Sequence, residues 1–202
     1  MRAKKVGRFT LAAALAGALV GGGMATAPSA QAAEPMTAAA VEPGFRIVID
    51  LSERQLYVMH GDEVEHTHSV AIGQPRHPTP RGSFAVRRMV WNPRWVPPDA
   101  AWARNKQARE PGDPRNPMGK VKIFFQNPDY YIHGTRDTDS LGEAESHGCI
   151  RMRNDDVIEL GRMVMSHGGA TRPPNWWHRV LNRVRSTTEV GLSDPVPVQI
   201  RA

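Results

Sequence analysis

From residue 45 onward, hydrophobic and polar positions alternate in a series of short runs. Phe45 to Asp50 (FRIVID) and Gln55 to His60 (QLYVMH) are such runs, and Gly61-Asp62 turns the chain into another, Glu63 to Ile72. A period of two with β-branched and aromatic residues predicts half-buried strands. The turn Thr79-Pro80-Arg81-Gly82 precedes a strand from Ser83 to Arg88, and Gln126-Asn127-Pro128-Asp129 joins two more, Lys120 to Phe125 and Tyr130 to His133. A closing edge strand is expected at Pro195 to Ile200, because proline is tolerated at a sheet edge.

The period lengthens to that of a helix after Asn154. Asn154 reads as an N-cap, Asp155 and Asp156 favour the positive helix end, and Val157, Leu160 and Val164 share a face that ends at Gly168-Gly169. A second helix is predicted from about Pro174 to Arg185. Strand and helix do not alternate, which argues against a doubly wound sheet and for a mainly β domain with two helices in its C-terminal part. Residues 91–119 contain six prolines among tryptophans and arginines and have no sustained period. Trp91, Trp95 and Trp102 of this segment are read either as a lid or groove or as packing within a long loop.

Composition changes the picture at the N-terminus. Arg2, Lys4, Lys5 and Arg8 precede an uncharged apolar run from Phe9 to Val20 and the small-residue site Ala30-Gln31-Ala32. That order predicts a signal peptide over residues 1–32, removed at Ala32 or Ala33, and a short Pro/Ala-rich tether over 33–44. The apolar run is too short for a membrane span, which needs about 20 residues, so no stable span is expected after cleavage. The chain carries 26 basic and 20 acidic residues, a net charge of +6; four of the basic residues belong to the leader, so the remainder carries +2. A nearly neutral domain gives no electrostatic case for nucleic-acid binding. The expected location is exported: periplasm, cell wall or extracellular space.

An exported chain is expected to pair its cysteines, yet Cys149 is the only one. A lone thiol is reactive, bridges to another chain, or is inert and buried. Its neighbours favour reactivity. Cys149 follows Ser146-His147-Gly148, and a strand-like run Tyr130-Tyr131-Ile132 leads into His133-Gly134-Thr135. A thiol nucleophile needs a base or cation to form the thiolate, and attack on a carbonyl needs N–H donors for the oxyanion. His133 can act on the thiol only if its strand neighbours the turn. A nucleophile so activated is expected to alkylate faster than a model thiol at neutral pH. His133, His147 and Cys149 are also metal-ligand types, but no zinc spacing is present and no metal or other cofactor is expected. His66 and His68 share one face of a strand and read as solvated polar positions, or as a weak surface metal pair.

The combination of HGT (133–135), SHGCIR (146–151), the upstream TPRGSF (79–84) and NPMGKVKIFF (116–125) closely resembles the signature of the L,D-transpeptidases, the YkuD-like catalytic domain. The resemblance covers residues 45–202 and implies sandwich-like mixed sheets. It implies Cys149 as nucleophile and His133 as general base, oriented by the Gly134 carbonyl. The Gly148 and Cys149 N–H groups, with His147, would hold the oxyanion; Ser146 and His147 would shape the turn, and Arg151 would support the site or bind a substrate carboxylate. The implied reaction attacks the third residue of a peptidoglycan stem tetrapeptide, releases D-Ala, and passes the acyl group to a second stem as a 3→3 cross-link. Water as acceptor would make an L,D-carboxypeptidase, and a protein amine an attachment enzyme. The implied setting is peptidoglycan biosynthesis, cell-wall organisation and cell shape, with stem peptides as donor and acceptor and carbapenem-type inhibitors expected to react.

Overall fold

The computed structural model describes residues 44–182 and 185–202. The expected leader and nearly all of the tether lie outside the described residues. The first two strands, β1 (Phe45–Asp50) and β2 (Gln55–His60), pair antiparallel with Ile47 opposite Val58 and Ile49 opposite Leu56. All four of these side chains are fully buried. A one-residue slip would turn them all to the other face, so the alternation specifies the register.

β3 (Glu63–Ser69) stops three residues short of the predicted run, because Ile72 and Gly73 form β4, which leaves for a second, two-stranded sheet. His66 and His68 do share a face, with ring centroids 6.1 Å apart, but they are not simply solvated. They lie across from Val58 and Leu56, and the largely covered His68 has Nδ1 3.4 Å from Asp156 Oδ2.

The remaining elements are β5 (Gly82–Trp91), β6 (Val121–Gln126), β7 (Tyr130–Thr135), β8 (Ala144–Ser146), β9 (Ile150–Arg153), α1 (Asn154–His167), α2 (Pro174–Asn182) and β10 (Thr188–Arg201). The large sheet has eight strands in the order β3-β2-β1-β10-β5-β6-β7-β9, and β8 pairs with β4. β1–β10, β7–β9 and β4–β8 are parallel and the other pairs antiparallel, so the sheets are mixed. The fold is mainly β with two helices, as expected.

Two expectations are corrected. β10 is longer than Pro195–Ile200 and lies in the middle of the sheet, between β1 and β5. Its prolines are accommodated by position: Pro195 falls in the break of register between Gly191 and Val196, and the ladder to β1 begins only at Val198, one residue past Pro197. Asn154 is the first residue of α1 and not its cap. Its amide instead accepts the Lys120 N–H at 3.1 Å and donates to the Thr135 carbonyl at 3.2 Å, tying the ends of β6 and β7 to the helix.

One core joins these elements. Met89, Ile123, Ile132, Ile150 and Met152 from β5, β6, β7 and β9 pack with Val157, Leu160 and Val164 of α1, all fully buried. Trp91 belongs to this core, edge-on to Trp176 and Trp177 of α2, so it is not part of a lid.

Candidate active site

The chemistry lies on the other face of β6, β7 and β9. In the parallel β7–β9 pair, Ile132 registers with Ile150 and His133 with Arg151. Ile132 and Ile150 point into the core, so strand alternation turns Tyr131, His133, Cys149 and Arg151 to the opposite face. On β6, Lys122 registers with His133 and Phe124 with Tyr131, which adds both to the same face. These residues line a groove of about 980 Å³ together with the 91–119 segment. The strand and the turn are thus neighbours, and the imidazole and the thiol open into one space.

His133 is 4% exposed. Its Nδ1 lies 2.8 Å from the Gly134 carbonyl oxygen. A carbonyl only accepts, so Nδ1 carries the hydrogen and Nε2 keeps its lone pair. Burial pushes the His133 pKa down to about 3, against the opposing effect of the Gly134 carbonyl. The ring is therefore a neutral base at working pH. Gly134 itself has no room for a side chain, since a Cβ there would sit 2.3 Å from Asn154 Oδ1.

The nucleophile turn is fixed from several sides. Gly148 adopts φ +106°, and a Cβ on it would meet the Tyr130 ring at 2.8 Å. Ser146 Oγ donates to the Cys149 carbonyl at 2.5 Å and accepts the Gly148 N–H at 3.0 Å. The Gly148 N–H is therefore engaged within the turn. The N–H groups of His147 and Cys149 have no acceptor among the described residues. Thr79, buried, accepts the Gly73 N–H at 2.9 Å and donates to the Gly148 carbonyl at 3.0 Å, so the upstream TPRG turn clamps the cysteine turn.

Cys149 is half-buried, and its thiol donates to the Asp129 carbonyl at 3.3 Å. Burial pushes the thiol up, while the Tyr131 backbone N–H and hydroxyl, Lys122 and Arg151 each act to bring it down. Burial prevails, so the resting site holds a neutral thiol and a neutral imidazole that open into the same groove. Fast alkylation of the resting enzyme is therefore not what this geometry favours; the proton must move during attack.

Around the groove, Arg151 Nη1 pairs with Asp137 at 3.6 Å. His147 is exposed and stacked on Trp102, with ring centroids 4.0 Å apart, and His77 lies 4.9 Å away on its other neighbour turn. Burial, then His77, keeps His147 below the usual histidine value. Trp95 and Trp102 line the groove, which divides the tryptophans of the long segment: two form a wall and Trp91 forms core. Sequence reasoning missed Lys122 and Tyr131. Their signal was the alternation in KVKIFF and YYIHGT, which puts them on the face of His133 once the register is known. Among the described residues no group of three or more His, Cys, Asp or Glu is disposed to hold a metal ion, and no helix is long and apolar enough to cross a membrane.

With this geometry in view, residues 44–198 match the family model "YkuD: L,D-transpeptidase catalytic domain". The chain is 32% identical over 120 residues to the YkuD protein of Bacillus licheniformis, covering 59% of this chain and 60% of that one. It is 32% identical over 174 residues to the ErfK/SrfK protein of Escherichia coli K12, covering 75% of this chain and 56% of that one. A Fuscovulum blasticum protein from the ATP synthase subunits region is 30% identical over 172 residues, with 76% and 89% covered. The chain thus spans less than two thirds of the length of the first two. Among solved structures, the catalytic domain of the E. faecium L,D-transpeptidase superposes with a TM-score of 0.50 at 17% identity, covering 80% of this chain and 99% of that one. L,D-transpeptidase 3 of Mycobacterium tuberculosis, in complex with a faropenem-derived adduct, also reaches 0.50 at 18% identity, covering 79% and 61%. Fold likeness and family match agree with the paired His133 and Cys149 motifs: this chain belongs to the L,D-transpeptidase catalytic-domain family typified by YkuD.

Proposed function

We propose that the chain is a peptidoglycan L,D-transpeptidase that forms 3→3 cross-links through a thioester on Cys149. The observation that carries this reading is the common groove face of β7 and β9, onto which a lone thiol and a neutral, oriented imidazole both open. In the proposed reaction His133 Nε2 takes the thiol proton as Sγ attacks the carbonyl of the third stem residue. The C=O electron pair moves onto oxygen, held by the free N–H groups of Cys149 and His147. Collapse breaks the C–N bond, and the imidazolium gives its proton to the departing D-Ala amine. The amine of a second stem then attacks the thioester, gives its extra proton to His133, and expels the sulfur, which recovers that proton. One hard amide exchange becomes two easier steps. Arg151, the aromatic wall of Trp95 and Trp102, and Ser146 in the turn support substrate and nucleophile.

Intact-mass spectrometry with a disaccharide-tetrapeptide tests this. The expected result is release of D-Ala and an acyl adduct on Cys149, abolished in Cys149→Ser, with a dimer appearing when a second stem is supplied. A tripeptide without dimer assigns water as acceptor, and no adduct at Cys149 overturns the reading. The faropenem-derived adduct in the Mycobacterium tuberculosis L,D-transpeptidase 3 structure supports expecting Cys149 here to be acylated by carbapenem-type β-lactams. Export belongs to the same proposal, since the stem peptides lie outside the cytoplasmic membrane. The leader motif in residues 1–32 supports it. N-terminal sequencing of protein from its host is expected to begin at Ala33 or Glu34; an intact Met1 on cytoplasmic protein would remove the enzyme from its substrate.

A further inference from the structure

Of the groove's cations that are not exposed, Arg88, Lys122 and Arg151, one has no acidic counterpart among the described residues. Arg88 pairs with Glu189 at 3.3 Å and Arg151 with Asp137 at 3.6 Å, but Lys122, half-buried beside them, forms no ion pair or hydrogen bond among the described residues. Its ammonium instead lies 4.3 Å from the centroid of the Tyr131 ring. Tyr131 is the cross-strand partner of Phe124 on β6 and is level with Cys149 on the other side, since Ile132 registers with Ile150. Its backbone N–H and its hydroxyl both favour the charged form of the Cys149 thiol.

We propose that Lys122 and Tyr131 form a thiolate-holding pair: the Tyr131 hydroxyl donates to Cys149 Sγ as it gains charge, and the Lys122 ammonium, seated on the ring, reinforces that donor and offsets the charge. It rests on Cys149 being the nucleophile. The need for such a pair follows from the site. The neutral His133 is too deeply buried to hold a positive charge cheaply, so a thiolate formed by proton transfer to it wants a second, permanent cation. A lysine over an aromatic face is attracted to the ring, and a cation there strengthens the phenol as a donor, because positive charge favours the O–H bond's polarisation. Burial, then the thiol's own charge, pushes Tyr131 far above the ordinary tyrosine value, so it stays a donor at any working pH. Burial draws the Lys122 ammonium down while the Cys149 charge holds it up. In this scheme the Tyr131 hydroxyl donates to the reacting sulfur and is catalytic; Lys122 acts through it and through space and is a positioning residue.

The test is the pH profile of Cys149 alkylation by iodoacetamide in the full chain, followed by mass, from neutral into alkaline solution. The groups facing the thiol are Tyr131 and His133 of β7, Lys122 of β6, Arg151 of β9, Asp129 of the β6–β7 turn, and His77 and His147 of the flanking turns, with Arg88 of β5 beyond Phe124. Lys122→Met and Tyr131→Phe are each expected to raise the midpoint by about one pH unit, or about tenfold less thiolate at a given pH below it, without lowering the alkaline plateau. Lys122→Arg is expected to restore most of the loss, and Lys122→Met is expected to matter less in the Tyr131→Phe background. Arg115→Met, an exposed cation on the groove rim, is expected to leave the midpoint in place. Unmoved midpoints in Lys122→Met and Tyr131→Phe, a change in plateau alone, or an equal shift from Arg115→Met would each overturn the proposal. So would an unmoved profile with a raised KM for the stem peptide in Lys122→Met, which would make the lysine a substrate-carboxylate binder. If Tyr131→Phe melts early, the Lys122→Met and Lys122→Arg comparison decides alone. Alkylation needs no stem peptide, so a null result here leaves the acyl-transfer reading untouched, whereas failure of that reading would appear as no Cys149 adduct with the tetrapeptide.

Discussion

Acid is the perturbation that should expose the cost of a buried neutral base. An unfolded histidine binds its proton near the ordinary value of 6.5, whereas His133 in the folded protein holds out to about 3. Between those values the unfolded chain carries one proton more than the native one, so stability falls as pH falls through that window and is unaffected above it. At 1.36 kcal/mol per unit, the interval sets a ceiling of about 5 kcal/mol on the loss. The ordinary stability of a domain is about 5–15 kcal/mol, so this one group can consume a large share of it. Denaturant melts at a series of pH values, read by tryptophan fluorescence, measure the slope directly. His133→Asn isolates the term, because its amide can still donate to the Gly134 carbonyl but does not titrate. The variant is expected to be inactive yet to lose less stability than wild type between neutral pH and about pH 4. Asp50, held below its usual 3.8 chiefly by the Ser52 hydroxyl, acts only lower and is present in both proteins. Identical slopes in the two proteins would refute the assignment of a buried, unprotonated His133.

Other consequences can be read directly from the geometry. Thr79→Val removes the buried hydroxyl and leaves the Gly73 N–H and the Gly148 carbonyl without their partner; a loss of about 2–3 kcal/mol in chemical denaturation is expected, with slower acylation of Cys149. Gly148→Ala meets both a positive φ and the Tyr130 ring, so a cost of about 1–3 kcal/mol and a fall of at least about tenfold in acylation rate are expected by melting and mass spectrometry. Trp102→Ala removes the stack on the exposed His147 and is expected to raise KM for the tetrapeptide more than it lowers kcat in a D-Ala release assay, with stability nearly unchanged.

Much of this was legible in the chain because the evidence was local. FRIVID and QLYVMH announce their strands to the residue, and a thiol after Ser-His-Gly announces a turn built for exposure. What was not legible depended on partners chosen far along the sequence. Nothing within Pro195–Ile200 says that β1 and β5 will flank it, so two prolines suggested an edge when local breaks in pairing accommodate them in the centre. Asn154 looks like a cap because caps are judged from the next few residues, while its real partners are the Lys120 N–H and the Thr135 carbonyl. Trp91, Trp95 and Trp102 share a stretch and a chemistry, but Trp91 still belongs to β5 and follows its alternation into the core. The turn likewise spends the Gly148 N–H on Ser146, a hydrogen bond that no spacing rule separates from an oxyanion donor.

The central seat of β10 has a consequence for how the molecule comes into being. Among the described residues, the β1–β3 half and the β5–β9 half of the large sheet are laddered together through β10, whose residues are made after all of theirs. A ribosome that has finished the nucleophile turn has still not made the strand that joins the two halves. Until residues 188–201 arrive, β1 and β5 each present an open edge toward the position the other half will share. Completion of the sheet therefore waits on contacts of long sequence separation, which fold slowly, and its two halves stay unladdered until then.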